Sequence, residues 1–141
     1  MTTNSYEIDQ KDKTDRTDPK TILVAVTDIF FYTKVRDAMM AMGYKIERAR
    51  TQQDIAEKSS ATNPAAFILD MNDDRLDAFQ ALDTLKADAR MKTISILAFA
   101  NHEEVETFHR AKALGVTRIV SRNEFSSRLK DLIEEVAGTH A

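Results

Sequence analysis

Pro64-Ala65-Ala66-Phe67-Ile68-Leu69-Asp70-Met71-Asn72 is an apolar run that ends abruptly on a carboxylate. With no polar alternation, 65–69 reads as a strand buried on both faces, as in the middle of a parallel sheet. In open α/β sheets the chemistry gathers at the carboxyl ends of the strands. Asp70 is therefore either a site residue or a buried anion that caps and pairs, and the flanking chain has to say which.

On both sides of this strand, helical and extended patterns alternate. Upstream, 21–26 (TILVAV) reads as a strand, and Thr27-Asp28 can cap a helix over 29–42 with Phe31, Val35, Ala38 and Met42 as its core stripe. Phe30, Phe31 and Tyr32 cannot all face inward, nor can Met39, Met40 and Met42. Residues 44–49 (YKIERA) alternate like an edge strand, and Thr51 caps a short helix over 52–60. Downstream, Asp73-Asp74 reads as an exposed first turn of a helix that buries Leu76, Phe79, Leu82 and Leu85 and ends near Arg90. A strand over 93–99 follows. Asn101 caps a helix over 102–114 that buries Val105, Phe108 and Leu114. The chain closes with a strand over 116–121 and a helix from Ser126 or Ser127 to Gly138. Five βα repeats predict a parallel sheet with helices on both faces and right-handed crossovers.

Composition bounds the function. The chain has 141 residues, no cysteine and a net charge of −3, which suits one domain without disulfides or thiolate metal sites. No apolar run approaches the ~18 residues of a membrane span, and 1–16 lacks a signal-peptide core. The expectation is a cytoplasmic protein with neither membrane nor nucleic-acid partner, since signs of charge are mixed and no basic patch stands out. Residues 1–19 are polar and charged and read as a disordered tail, and 139–141 as a short C-terminal one. All three glycines, Gly43, Gly115 and Gly138, fall at expected helix ends, where left-handed backbone is wanted. That leaves none for a phosphate-cradling loop. His102 and His109 lack metal-ligand spacing on their helix.

Two stretches together carry a resemblance. One is Leu69-Asp70-Met71-Asn72 followed by Asp77-Ala78-Phe79. The other is Ala111-Lys112-Ala113-Leu114-Gly115-Val116 leading into the fifth strand. In this order and spacing, 20–138 resembles a receiver domain of the two-component response-regulator family. The resemblance implies an α/β, three-layer, flavodoxin-like (βα)5 fold with a five-stranded parallel sheet of order 2-1-3-4-5. It also implies that Asp70 is the phospho-acceptor position. The family's paired metal-binding acids fall on Val26 and Thr27, with Asp28 next. Asn72 takes the position whose carbonyl helps hold the metal. The phosphoryl-sensing hydroxyl falls on Ala100, the switch aromatic on Ile119, the lysine on Arg122 and the proline after it on Asn123.

Those departures set the functional expectation. Metal-assisted phosphoryl transfer needs carboxylate oxygens around a divalent cation. Only Asp28, Asp70 and Asn72 remain to hold one, so no cofactor is expected beyond weakly held Mg²⁺. Ala100 cannot donate to a phosphoryl oxygen, and Ile119 cannot act as a polar rotating switch. Arg122 keeps the charge, and its planar fork would favour a fixed bidentate pair with Asp70. The expected role is that of a stand-alone, degenerate, non-enzymatic signalling module. It would bind a histidine kinase, an adaptor or another receiver, largely independently of phosphorylation. The alternative is a phosphorelay receiver that accepts a phosphoryl group on Asp70 from a histidine kinase. A small-molecule enzyme on the same scaffold is the weakest reading, because no nucleophile–base pair is evident.

Overall fold

The computed structural model describes residues 19–138. Along them run β1 (Thr21–Ala25), α1 (Ile29–Ala41), β2 (Lys45–Arg48), α2 (Gln52–Thr62), β3 (Ala66–Asp70) and α3 (Ala78–Ala87). Then come β4 (Ser95–Ala100), α4 (Val105–Ala113), β5 (Arg118–Ser121), α5 (Arg122–Ser127) and α6 (Leu129–Ala137). The strands pair in parallel in the order β2-β1-β3-β4-β5, the 2-1-3-4-5 order expected. No described helix is long and apolar enough to cross a membrane. The readings of 1–18 and 139–141 as tails lie outside the described residues.

β3 is central because its sequence can tolerate burial on both faces. Val24 lies opposite Ile68, and Leu69 opposite Ala98. Successive side chains point to opposite faces, so the strands feed two cores. Ile22, Val24, Ile68, Leu97 and Phe99 pack with α1, α5 and α6. Leu23, Phe67, Leu69, Ile96 and Ala98 pack with α2, α3 and α4. Each large side chain buried this way contributes about 1.5–3 kcal/mol. The one carboxylate on β3 therefore lies at the single place where a charge can meet polar loops, the strand's carboxyl end.

Several local expectations are corrected. α1 buries Tyr32, Val35 and Met39, with Phe31, Ala38 and Met42 only partly covered, so the core stripe is rotated from the 31/35/38/42 reading. The two stripes share Val35, and the face turned to the sheet carries Tyr32 and Met39. α3 begins at Ala78, capped by the Asp77 side chain on the Gln80 amide, and Asp73-Asp74 precede it as loop. α4 begins at Val105, with Glu104 rather than Asn101 at the cap position, and Val105 is exposed. The last unit carries two helices where one from Ser126 or Ser127 is expected, the first starting earlier at Arg122 and the second later at Leu129. Ser121 accepts from the Glu124 amide and opens α5, the chain breaks at Arg128, and α6 follows. Gly43 and Gly115 adopt φ +91°, as left-handed helix ends require, whereas Gly138 has φ −75°. There the Lys20 ammonium reaches the carbonyls of Ala137 and Gly138 instead.

Candidate functional site

The loops at the carboxyl ends of β1, β3, β4 and β5 converge on Asp70, which is 2% exposed. One carboxylate oxygen accepts from the Asn72 amide at 2.9 Å, and the other from Arg122 Nη2 at 3.0 Å. The pair is a single-bond contact, so the expected bidentate fork does not form. Asn72's amide takes the second oxygen. Burial pushes the Asp70 carboxyl above its usual range. The Asn72 amide and the Arg122 guanidinium pull it down, and the nearby Asp73 charge adds to the rise.

Arg122 is held from below by aromatic rings. Its guanidinium carbon lies 4.6 Å from the Phe31 centroid and 5.2 Å from that of Phe99. Phe99 stacks on Phe125 at 4.3 Å, and Phe31 closes the cluster. The two rings that meet the guanidinium come from α1 and β4, and Phe125 of α5 backs them. A planar, weakly hydrated cation suits such a seat better than an ammonium would.

Asp73 is the site residue that sequence reasoning placed elsewhere. It is no exposed helix turn. Its carboxylate crosses the site to β1's loop and accepts from the Thr27 amide at 2.7 Å and the Thr27 hydroxyl at 2.8 Å. It also accepts from the amides of Arg75 and Leu76. Thr27 is gripped on its other side too, since Arg48 Nη2 donates to its carbonyl at 3.1 Å while stacking on Tyr32. Arg48 Nε is buried without a partner among the described residues.

The remaining expected residues take structural parts. Asp28 caps α1, accepting from the Phe30 and Phe31 amides with one oxygen. The Asn72 side chain accepts from the Asn101 amide at 2.7 Å and so ties the β3 loop to the β4 loop. Ala100 is fully buried opposite Ser121 in the sheet register, and Ile119 packs into the core shared with α2, α3 and α4. The nearest hydroxyl on β5, that of Ser121, caps α5. Asp28, Asp70, Thr27, Asn72 and Arg122 line one cavity of about 620 Å³, together with Asp73, Asp74, Arg75, Ile29 and Phe30. Ala100 lies beneath the surface.

The donor set does not fit a small octahedral ion. Each Asp70 oxygen accepts one hydrogen bond, Asp73 accepts from loop amides and a hydroxyl, and Asp28 caps its helix with one oxygen. Among the described residues no group of three His, Asp or Glu could hold a metal. The expected trio of Asp28, Asp70 and Asn72 lines one cavity, with Asp28 and Asp70 each already accepting hydrogen bonds. The positive charge beside Asp70 is a covalently attached one.

Solved structures of the same fold are known. The chain is similar to a response-regulator receiver domain from Bermanella marisrubri, with 20% identity, TM-score 0.75, and 86% of this chain and 100% of that one covered. The chain has the receiver fold. A chemotaxis response regulator of Vibrio cholerae is similar at 18% identity and TM-score 0.75, with 84% and 99% covered. The receiver domain of a sensor histidine kinase from Pseudomonas aeruginosa matches at 13% identity and TM-score 0.75, with 86% and 100% covered. That last structure holds a magnesium ion in its active-site cleft. No family model matches the sequence, and neither does any curated protein. Identities this low show the receiver fold alone, so the chemistry of Asp70 has to be argued from this chain's residues.

Proposed function

We propose that this chain is a receiver-type signalling module that works in the cytoplasm through contacts with other signalling proteins. In this reading the Asp70 position is held by Arg122 instead of being regulated by phosphorylation. One observation carries it: both oxygens of Asp70 are already committed, one to a backbone amide and one to a guanidinium seated on aromatic rings. A phosphoryl donor would have to displace that guanidinium and find a cation elsewhere. Asp73 is engaged by the Thr27 loop and Asp28 caps α1 with one oxygen, and the positions for a sensing hydroxyl and a switch aromatic carry Ala100 and Ile119. The module then presents one fixed surface, without the two-state coupling that a phosphorylated carboxylate drives. Partners in this reading are a histidine kinase, an adaptor or another receiver, and the module performs no catalysis.

A phosphorelay role on Asp70 is the second reading. It is favoured by Asp70's place in the lining of a cavity at the end of the central strand. Incubation with acetyl phosphate and Mg²⁺, followed by intact mass measurement, separates the two. The fixed-surface reading predicts no added phosphoryl group. An adduct that forms on the parent and is lost in Asp70→Asn would overturn it.

A further inference from the structure

The cavity beside Asp70 has an apolar wall that the fold does not use. Ile29 is 51% exposed and Phe30 86%, and both line it. Single exposed apolar residues are ordinary. Two adjacent ones at the rim of one cavity, held in place by a capped first helical turn, form a ready anchor, because burying an aromatic ring is what most often dominates an interface. The cavity's charge names the partner. Its lining carries four carboxylates, Asp28, Asp70, Asp73 and Asp74, against two guanidiniums, Arg75 and Arg122. Arg122 is committed to Asp70, and Asp74 and the second oxygen of Asp28 make no hydrogen bond among the described residues. The uncompensated charge on the rim is negative.

We infer that this face docks a partner protein's segment in which a basic side chain lies next to an apolar one. The apolar group packs on Phe30 and Ile29. The cation lies over the rim carboxylates and the ring of Phe30, where charge attraction and cation–π contact act together. This assignment rests on the signalling reading above and adds to it the surface and the chemistry of the partner.

The test follows amide shifts of the full chain during titration with a short peptide alternating arginine and leucine. The same peptide with glutamate for arginine is the control. The basic peptide is expected to give saturable shifts at Phe30, Phe31, Asn72 and Arg75, with a Kd on the order of 1 mM. Phe30→Ser should weaken it about tenfold, the effect of losing one anchor. The double variant Asp28→Asn, Asp74→Asn should weaken it several-fold and flatten its salt dependence, while asparagine still caps α1. Equal binding of the glutamate peptide, no loss in Phe30→Ser, or no saturable shift at these amides would overturn the inference. So would movement of the same amides on dilution, which marks a second copy on this face. Movement in the full-chain variant Tyr6→Ser, Ile8→Ser without peptide would mark the chain's own N-terminal segment there, and is equally fatal. Failure here without phosphorylation of Asp70 removes the surface and leaves the signalling reading standing, whereas phosphorylation of Asp70 removes the reading itself.

Discussion

Replacing Arg122 with alanine isolates the interaction on which the site depends. The variant leaves Asp70 as a buried carboxylate with only the Asn72 amide as a partner. Removing one member of a buried pair costs about 3–5 kcal/mol when the partner charge is trapped. Arg122 is about a third exposed, so water screens part of the attraction, and a lost charge-assisted hydrogen bond is then about 1.5–3 kcal/mol. Loss of stacking on Phe31 and Phe99 adds about 0.5–1 kcal/mol. An unfolding free energy lower by about 2–4 kcal/mol is expected from urea denaturation. The pH dependence gives the finer check. Because burial raises the folded pKa of Asp70 above its unfolded value, the folded state binds this proton more tightly. Stability from this group is present below the unfolded carboxylate pKa and falls as pH rises through the folded one. Without Arg122 that folded pKa rises further. The deficit of Arg122→Ala should therefore be largest at neutral pH and shrink on acidification through the raised value. A deficit within about 0.5 kcal/mol of zero at neutral pH, or one independent of pH, would refute the claim that Arg122 neutralises a buried charge.

Other outcomes follow from the same contacts. Asp73→Ala should lower stability by about 1–3 kcal/mol through the orphaned Thr27 and loop amides, and hydrogen exchange at Thr27 should accelerate; unchanged exchange there would count against the cross-site bond. Phe125→Ala empties a fully buried ring position and should cost about 3–5 kcal/mol, readable in the same urea series. Asp77→Ala removes the cap of α3 and should cost about 1 kcal/mol, whereas Asp77→Asn should be close to neutral. Millimolar Mg²⁺ should leave the melting temperature unchanged, because a ligand that does not bind the folded state cannot stabilise it; a Mg²⁺-dependent rise would mean that the acids rearrange into a metal site.

The fold was legible because its signals are local and repeated. The buried run before Asp70, the alternation of 44–49 and the glycines at 43 and 115 each state their own structure. Asp70 and Arg122 could be paired because the resemblance to a receiver domain puts Arg122 at the position of the lysine that faces the phospho-acceptor. Asp73 was missed because its chief partner, Thr27, lies 46 residues away, and two acids before an amphipathic helix look like a first turn. The better signal was Asp77 directly before Ala78, a cap one turn later. The start of α5 had a readable mark as well, since Ser121 and Glu124 stand at the spacing of a capping box. The break at Arg128 had none. It is accompanied by a local i,i+4 pair of Glu124 with Arg128 and by tertiary ion pairs of Arg118 with Glu124 and Glu135 that no local pattern announces. The stripe of α1 was off by one residue because 31/35/38/42 and 32/35/39 are both apolar, and only the neighbouring sheet decides between them.

The most direct measurement is a titration with beryllofluoride and Mg²⁺, a phosphoryl mimic that adds to an accessible aspartate, followed by backbone amide shifts. With Asp70 held by Arg122, the amides of Asp70, Met71 and Asn72 should not move, and Arg122→Ala should be needed before they do. Saturable shifts at these amides in the parent chain, absent in Asp70→Ala, would contradict the account.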